Sequence, residues 1–471
     1  ALGNEQIAEH AEPERRVVPL DMFPTGMIES VVIQKTYSPD RPGEFGGGAV
    51  QIRTRGYPDE LHVLVELGAG YVQGTTFDTT RVAADASATD FLGFGASHRA
   101  LPGRVQRATA RGPLELGNSY TGGFTAEELE AIGRAMRNGA IWALEERLLA
   151  PDLKLSATVG NSHALGRHSK LGFMVSAIYA NRWDREAEIR RDRYRRDRTG
   201  LVWFDGRTFQ RVKNEITLAG VGAVGLDIGE AHRIRLNALV DRISDSVLQT
   251  FTGFDANTDS RVRDRAIEWK ERMMLAAQLT GQHQLARLRE LEIDWRYAYS
   301  HAGRDAPDIR HVLYQRDSAD EPWRASQFPF GNGREFGTVR DQAHDWQLDL
   351  GLPFAQWTGE QGLVKVGGAV LVKRREVDLR RFSYDRVGDL EPGIRVLPPE
   401  AFFVADHISM DQLRLGESTL NTDNRTGAQD VLAGYAMVDL PLGLGFRVSG
   451  GLRVERSRQV SASFELFAPE K

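Results

Sequence analysis

The chain has 471 residues, a net charge of −5 and no cysteine. A disulfide framework, thiolate metal sites and a cysteine nucleophile are therefore excluded, and no overall field favours nucleic acid. Mean hydropathy is −0.39 and no apolar run reaches the ~18 residues of a membrane helix, but neither observation bears on a membrane β-barrel, whose strands alternate lipid-facing and lumen-facing residues.

In chain order, Ala1 to Arg16 is polar, with no apolar leader. Met27 to Ile33 reads as a short strand. Pro39 and Pro42 interrupt it, Gly46, Gly47 and Gly48 permit a tight backbone path, and Val50 and Ile52 start a second strand. Alternation of period two begins at 61–72. Thr125 and Glu128 form a capping box, and Leu129, Ile132, Met136, Ile141, Leu144 and Leu148 follow near helical spacing up to Pro151. Alternation then returns at 153–159, 171–183, 214–228, 234–240, 265–284, 291–299, 346–352, 362–384, 428–440 and 446–455. It is clearest where Leu291, Ile293, Trp295, Tyr297 and Tyr299 alternate with Glu292, Asp294, Arg296, Ala298 and Ser300.

This predicts about eleven strands, many of roughly 15–20 residues, against the usual five or six. The connections alternate as well. Those at 161–169, 228–233, 282–287, 354–362 and 440–445 are short; those at 73–152 (with the helix), 185–213, 251–264, 302–335 and 385–425 are long. Short periplasmic turns and long extracellular loops describe an outer-membrane barrel. Trp183, Trp269, Trp295 and Tyr299 suit its interfacial aromatic girdle.

Few residues suggest chemistry. Arg190, Arg191, Arg193, Tyr194, Arg195 and Arg196 form a candidate ligand-facing loop that would attract an anion or lipopolysaccharide phosphates. Asp184, Glu186, Glu188, Asp192 and Asp197 partly neutralise it, so an ordinary solvated loop is the competing reading. Asp255, Asn257 and Asp259 have calcium-loop spacing, but Ser260 replaces the glycine and Ala266 the bidentate glutamate. His163 and His168 have no partner cluster, and Gly46 to Gly48 lacks the Lys-Ser/Thr of a phosphate loop. No catalytic, cofactor or metal constellation is expected, and the protein is not read as an enzyme.

The segment Ile28 to Lys35 (IESVVIQK), then Pro42, Gly43, Glu44, Phe45, Gly46, Gly47 and Gly48, then Val50 to Thr54 (VQIRT), resembles the plug-to-barrel junction of TonB-dependent outer-membrane receptors. Arg15 to Gly26, Asp90 to Phe94 with Arg99 to Pro102, and Ala433 to Leu442 before Gly450 to Glu455 are similar to further parts of that family. The resemblance implies an all-β chain: residues 1–56 as the C-terminal part of a plug, and 57–471 as about the first half of a transmembrane antiparallel barrel of about 22 strands. It also implies a fragment of a longer receptor, with the rest of the plug and its TonB box upstream and further strands downstream. The implied function is energised uptake of a scarce or large ligand of the siderophore, cobalamin or oligosaccharide class. TonB is the implied partner through the missing N-terminal segment, outer-membrane lipid and lipopolysaccharide are the surroundings, and no bond in the ligand is made or broken. Arg41, Glu44, Arg53 and Arg55 are the candidate plug–barrel contacts, with Glu292, Asp294, Asp349, Arg447 and Glu455 as possible lumen partners. A passive channel or surface-binding barrel, or a soluble all-β domain, is the rival reading.

Overall fold

The structure, a computed structural model, describes residues 28–45, 48–54, 57–117, 123–198, 200–256, 258–326, 331–357, 359–388, 390–420, 422–443 and 446–464. The chain is all-β. Its strands are β1 (Ile28–Gln34), β2 (Ala49–Thr54), β3 (His62–Gly70), β4 (Thr79–Ala83), β5 (Leu144–Leu148), β6 (Asp152–Leu165), β7 (Ser169–Arg196), β8 (Leu201–Ile228), β9 (His232–Asp255), β10 (Ser260–Leu285), β11 (Leu291–Arg316), β12 (Arg324–Ala325), β13 (Asn332–Ala355), β14 (Gln361–Arg386), β15 (Leu413–Glu417), β16 (Arg425–Gly443) and β17 (Phe446–Ser463). β1–β2 and β4–β5 are separate two-stranded sheets. The remaining thirteen form one antiparallel sheet in the order β17-β16-β14-β13-β11-β10-β9-β8-β7-β6-β3, with β12 beside β11 and β15 beside β14.

Directly opposed residues share a face of the sheet. The register joins Leu67 to Leu155, Val159 to Val175, Phe173 to Val224 and Val224 to Leu236. It continues from Leu236 through Leu279 to Tyr297 and Trp346, then from Val370 to Leu432 and from Ala436 to Leu452. One face is thus apolar from one outer strand to the other. Near the end with the short turns it is bare: Leu67 is 76% exposed, Leu432 60% and Leu452 71%. The opposite face carries Lys365, Asp349, Gln429, Arg453 and Glu455.

Toward the other end the same apolar face is covered by a loop layer, where the main hydrophobic core lies. Phe124, Leu129, Ile132, Trp142, Phe402, Phe403 and Leu415 pack there on Val312, Tyr314, Phe336, Phe382 and Tyr384. The layer is pinned by buried charge. β11 bulges between Ala306 and Ile309, and Asp308 takes φ 55°. Its carboxylate accepts two bonds of 2.6 Å from Arg334 and one of 3.0 Å from Arg310. Arg310 also donates to Asp85 of the loop layer at 3.0 Å, as does Arg137 at 2.6 Å. Nearby, Glu271 accepts from Gly95 N, Ala96 N and the Trp269 indole at 2.6, 2.7 and 2.9 Å.

Three expectations are corrected. Residues 185–213 are not a loop: β7 runs through them to Arg196 and β8 resumes at Leu201, with Asp197 N donating to Gly200 O at 2.8 Å, and β9 likewise reaches Asp255 and β10 starts at Ser260. Arg190 to Arg196 is polar on both faces, and β8 and β9 carry apolar side chains on both (Phe209 and Phe251 pack with Val262 and Leu313), so the hydropathy alternation fades while backbone pairing continues. Most of 302–335 is strand as well, and there Val312, Leu313 and Tyr314 are buried in succession on both faces, which hides the alternation. The helix keeps its capping box but spans only Ala126–Ala135. Asn138 donates to the carbonyls of Gly133 and Met136 at 3.2 and 2.8 Å, Gly139 turns the chain at φ 62°, and Leu144 and Leu148 belong to β5.

Burial alone would raise the Asp85 pKa. The guanidinium groups of Arg310 and Arg137 outweigh it and hold the carboxyl at about 2. A depressed acid stabilises the fold above its ordinary value of 3.8 and loses that contribution, on the order of 2 kcal/mol, as the pH falls through about 2. Tryptophan fluorescence from pH 5 to about 2 should report loosening around Trp142 and Trp269, and Asp85→Asn should already be loosened at neutral pH.

Candidate functional site

Pro39 and Pro42 cannot continue a strand ladder, so the chain between β1 and β2 folds into two successive turns. Arg41 N donates to Ser38 O at 2.9 Å and Phe45 N to Pro42 O at 3.2 Å, and the rings of Tyr37 and Phe45 meet edge-on at 5.8 Å. This turn rests on the charged face of the sheet. Gly43 N donates to Glu455 Oε1 at 3.0 Å, Arg453 Nη1 to Pro39 O at 3.4 Å, and Gln429 Nε2 to Glu44 Oε1 at 3.1 Å. Lys365 Nζ stands 3.9 Å from Asp40 and 3.6 Å from Asp349, whose other oxygen takes the Tyr435 hydroxyl at 2.6 Å. Gly43 allows the close approach, since a Cβ there would lie 2.7 Å from Glu455 Oε2.

A second anchor follows at Tyr57. Its hydroxyl donates to Asp227, and its ring lies between Arg235 at 5.1 Å and Lys170 at 5.7 Å, while Lys170 also pairs with Asp59. The floor beneath the ring is glycine. A Cβ on Gly172 would overlap it, and one on Gly225 would come within 2.6 Å. Burial, then the hydrogen bond to Asp227, pushes the Tyr57 phenol up to about 12. Sequence reasoning missed this anchor, because nothing local links Tyr57 to two glycines more than a hundred residues away.

Among the candidates named from sequence, the structure brings Gly43 and Glu44 to the charged face, together with Glu455 and Asp349. Arg41 stands 3.8 Å from Asp40. Arg53 lies in β2 opposite Ser30, and Arg447 pairs with Asp439 at 2.6 Å. Gly46, Gly47, Arg55 and the stretch Arg15 to Gly26 lie outside the described residues. The expected arginine loop is strand instead. Arg190, Arg191, Arg193, Tyr194, Arg195 and Arg196 all belong to β7 and pair with β8. Arg190 bonds Asp192 at 2.8 Å, Arg191 stacks on Phe209 at 4.9 Å, and Arg193 stands 3.8 Å from Asp205. Successive strand residues point to opposite faces, so these side chains do not converge on one site. Among the described residues no group of three His, Cys, Asp or Glu side chains is placed to hold a metal ion.

No known protein family, curated protein or solved structure matches the chain.

If Glu455 holds the turn, Glu455→Ala should speed hydrogen exchange of the peptide 39–45 by about tenfold or more, the value of a hydrogen bond to a charged group. Arg447→Ala on the same strand should leave that exchange unchanged. Equal exchange in wild type and Glu455→Ala would remove Glu455 from the contact.

Proposed function

We propose that the chain is part of a TonB-dependent outer-membrane receptor. On this reading its eleven long strands belong to a transmembrane β-barrel, and residues 1–56 to the end of the plug. The observation that carries the proposal is the division of one sheet into two faces. One is apolar from β3 to β17 and exposed toward the short-turn end at Leu67, Leu348, Leu432 and Leu452, and the other is charged and receives the β1–β2 turn. A soluble sheet exposing so wide an apolar face would aggregate, whereas in lipid that face is the solvated one. The stretch Leu291 to Tyr299 matches the ~9–11 residues of a tilted membrane strand. The inner strands of the sheet pair their backbones on both sides, as lipid requires of polar backbone groups, and the outer edges of β3 and β17 are where a closed barrel would continue.

The β1–β2 turn favours a plugged receptor over a plain channel, because an open pore has no use for a segment seated on its charged wall. The ligand-moving step is then displacement of this segment under force from TonB. Side chains hold and release it, and no bond in the ligand changes. The contacts seen are polar and reversible: Gly43 to Glu455, Glu44 to Gln429, and Asp40 to Lys365.

Two measurements test the proposal. Trp295→Arg places a cation on the apolar face and should cost about 2–4 kcal/mol of folding stability in lipid if it lies near the midplane. Insertion indistinguishable from wild type would remove lipid from that face. Ligand uptake by the intact gene product should stop in cells lacking TonB; uptake that persists would identify a passive channel instead.

A further inference from the structure

On the apolar face, between β8–β11 and the covering segment that carries β4, lies a cavity of about 550 Å³. We propose that it is a phosphate-binding site, with Arg263 as the principal ligand and Thr252 and Thr250 beside it. The site is on the face opposite the β1–β2 turn, and the inference does not rest on the receptor reading.

The register builds the site. Arg263 is directly opposite Thr252 and Arg265 opposite Thr250; on the far side of Arg263 is Tyr314. Two guanidinium groups and two hydroxyls therefore occupy adjacent positions of one face, with cross-strand Cβ atoms about 5 Å apart. Arg263 is held by its ring faces, 5.5 Å from the Tyr314 centroid and 4.9 Å from that of Trp323. Arg316 stacks on the same indole at 4.5 Å. Stacking occupies the flat faces of a guanidinium and leaves its in-plane N–H donors available for a tetrahedral oxyanion.

Among the described residues nothing uses those donors. Among the described residues no carboxylate pairs with Arg263, and the charged side chains acting on it are Arg265 and Arg316, both of its own sign. The hydroxyls of Thr250 and Thr252 likewise make no side-chain hydrogen bond among the described residues. Arg265, by contrast, is satisfied, its Nη1 donating to Trp142 O at 2.8 Å and to Glu400 at 3.1 Å. Glu146, Glu186 and Asp264 also line the cavity, which favours a compact phosphate or diphosphate group over an extended polyanion. The phosphate is that of a soluble organic phosphate or of a lipid headgroup, and the chemistry at Arg263 is the same for both.

The test is calorimetric titration of the full chain in detergent at low ionic strength, with sodium pyrophosphate and with lipopolysaccharide micelles as probes. At least one probe should bind saturably, and Arg263→Gln should weaken that binding by about tenfold or more. Arg263→Lys, which keeps the charge and loses the fork, should recover only part of it. Arg447→Gln, on the opposite face, should match wild type. Arg263-dependent binding of pyrophosphate assigns the site to a soluble phosphate; dependence seen with lipopolysaccharide alone assigns it to the lipid. Circular dichroism identifies variants that fail to fold, and Arg263→Lys then carries the comparison. Binding of neither probe to wild type, or equal binding to wild type and the Arg263 variants, overturns the proposal.

Discussion

Continuous backbone pairing between long neighbouring strands is the constraint on which the other features depend. Each residue brings one donor and one acceptor that must be paired wherever water is excluded. β8 meets the demand on both sides, against β7 and β9, along most of its 28 residues. Pairing of that length fixes the register, and register fixes the faces, because a slip of one residue would exchange them. The apolar face, the charged face and the Arg263–Thr252 arrangement all follow from it.

Where pairing is interrupted, the interruption has a use. The bulge between Ala306 and Ile309 puts Asp308 in a left-handed conformation and lets one carboxylate serve both Arg310 and Arg334. Buried charges are tolerable only when partnered and hydrogen-bonded. This group meets that condition by recruiting Asp85 and Arg137 from the covering layer, so attaching the layer and neutralising the sheet's buried arginines are one event. Removing either carboxylate would strand a cation in a site with almost no water.

Much of this was legible in the sequence, and the limits have physical causes. All eleven long strands announced themselves where one face is apolar, as at Leu291 to Tyr299. Their continuations did not, because Arg190 to Arg196 is polar on both faces and gives no hydropathy signal even though its backbone still pairs. The start of the helix was readable because Thr125 and Glu128 are a local device; its end was not, because leucines at 144 and 148 fit a helical stripe and a strand equally well. Glu44 and Glu455 stood out as charges, but that Glu455 bonds the Gly43 amide rather than a cation depends on a contact across 412 positions. Tyr57 was invisible for the same reason: its partners matter for the side chains they lack.

The two attachments to the sheet differ in kind. The covering layer is held by an apolar core of more than a dozen side chains and a buried ionic group, so detaching it would expose both to water. Among the described residues, the segment from Pro39 to Asp59 is held by polar contacts that include pairs as long as 3.9 and 3.4 Å, and by the Tyr57 ring over two glycines. Long or solvated ion pairs contribute at most about 1 kcal/mol each, and water can replace them one at a time. On the receptor reading proposed above, a pull on this segment would break it free of the charged face while the strands and the covering layer stayed intact. The two attachments are separated here by the chemistry of their contacts, polar on one face and buried on the other, rather than by any difference in the sheet that carries them.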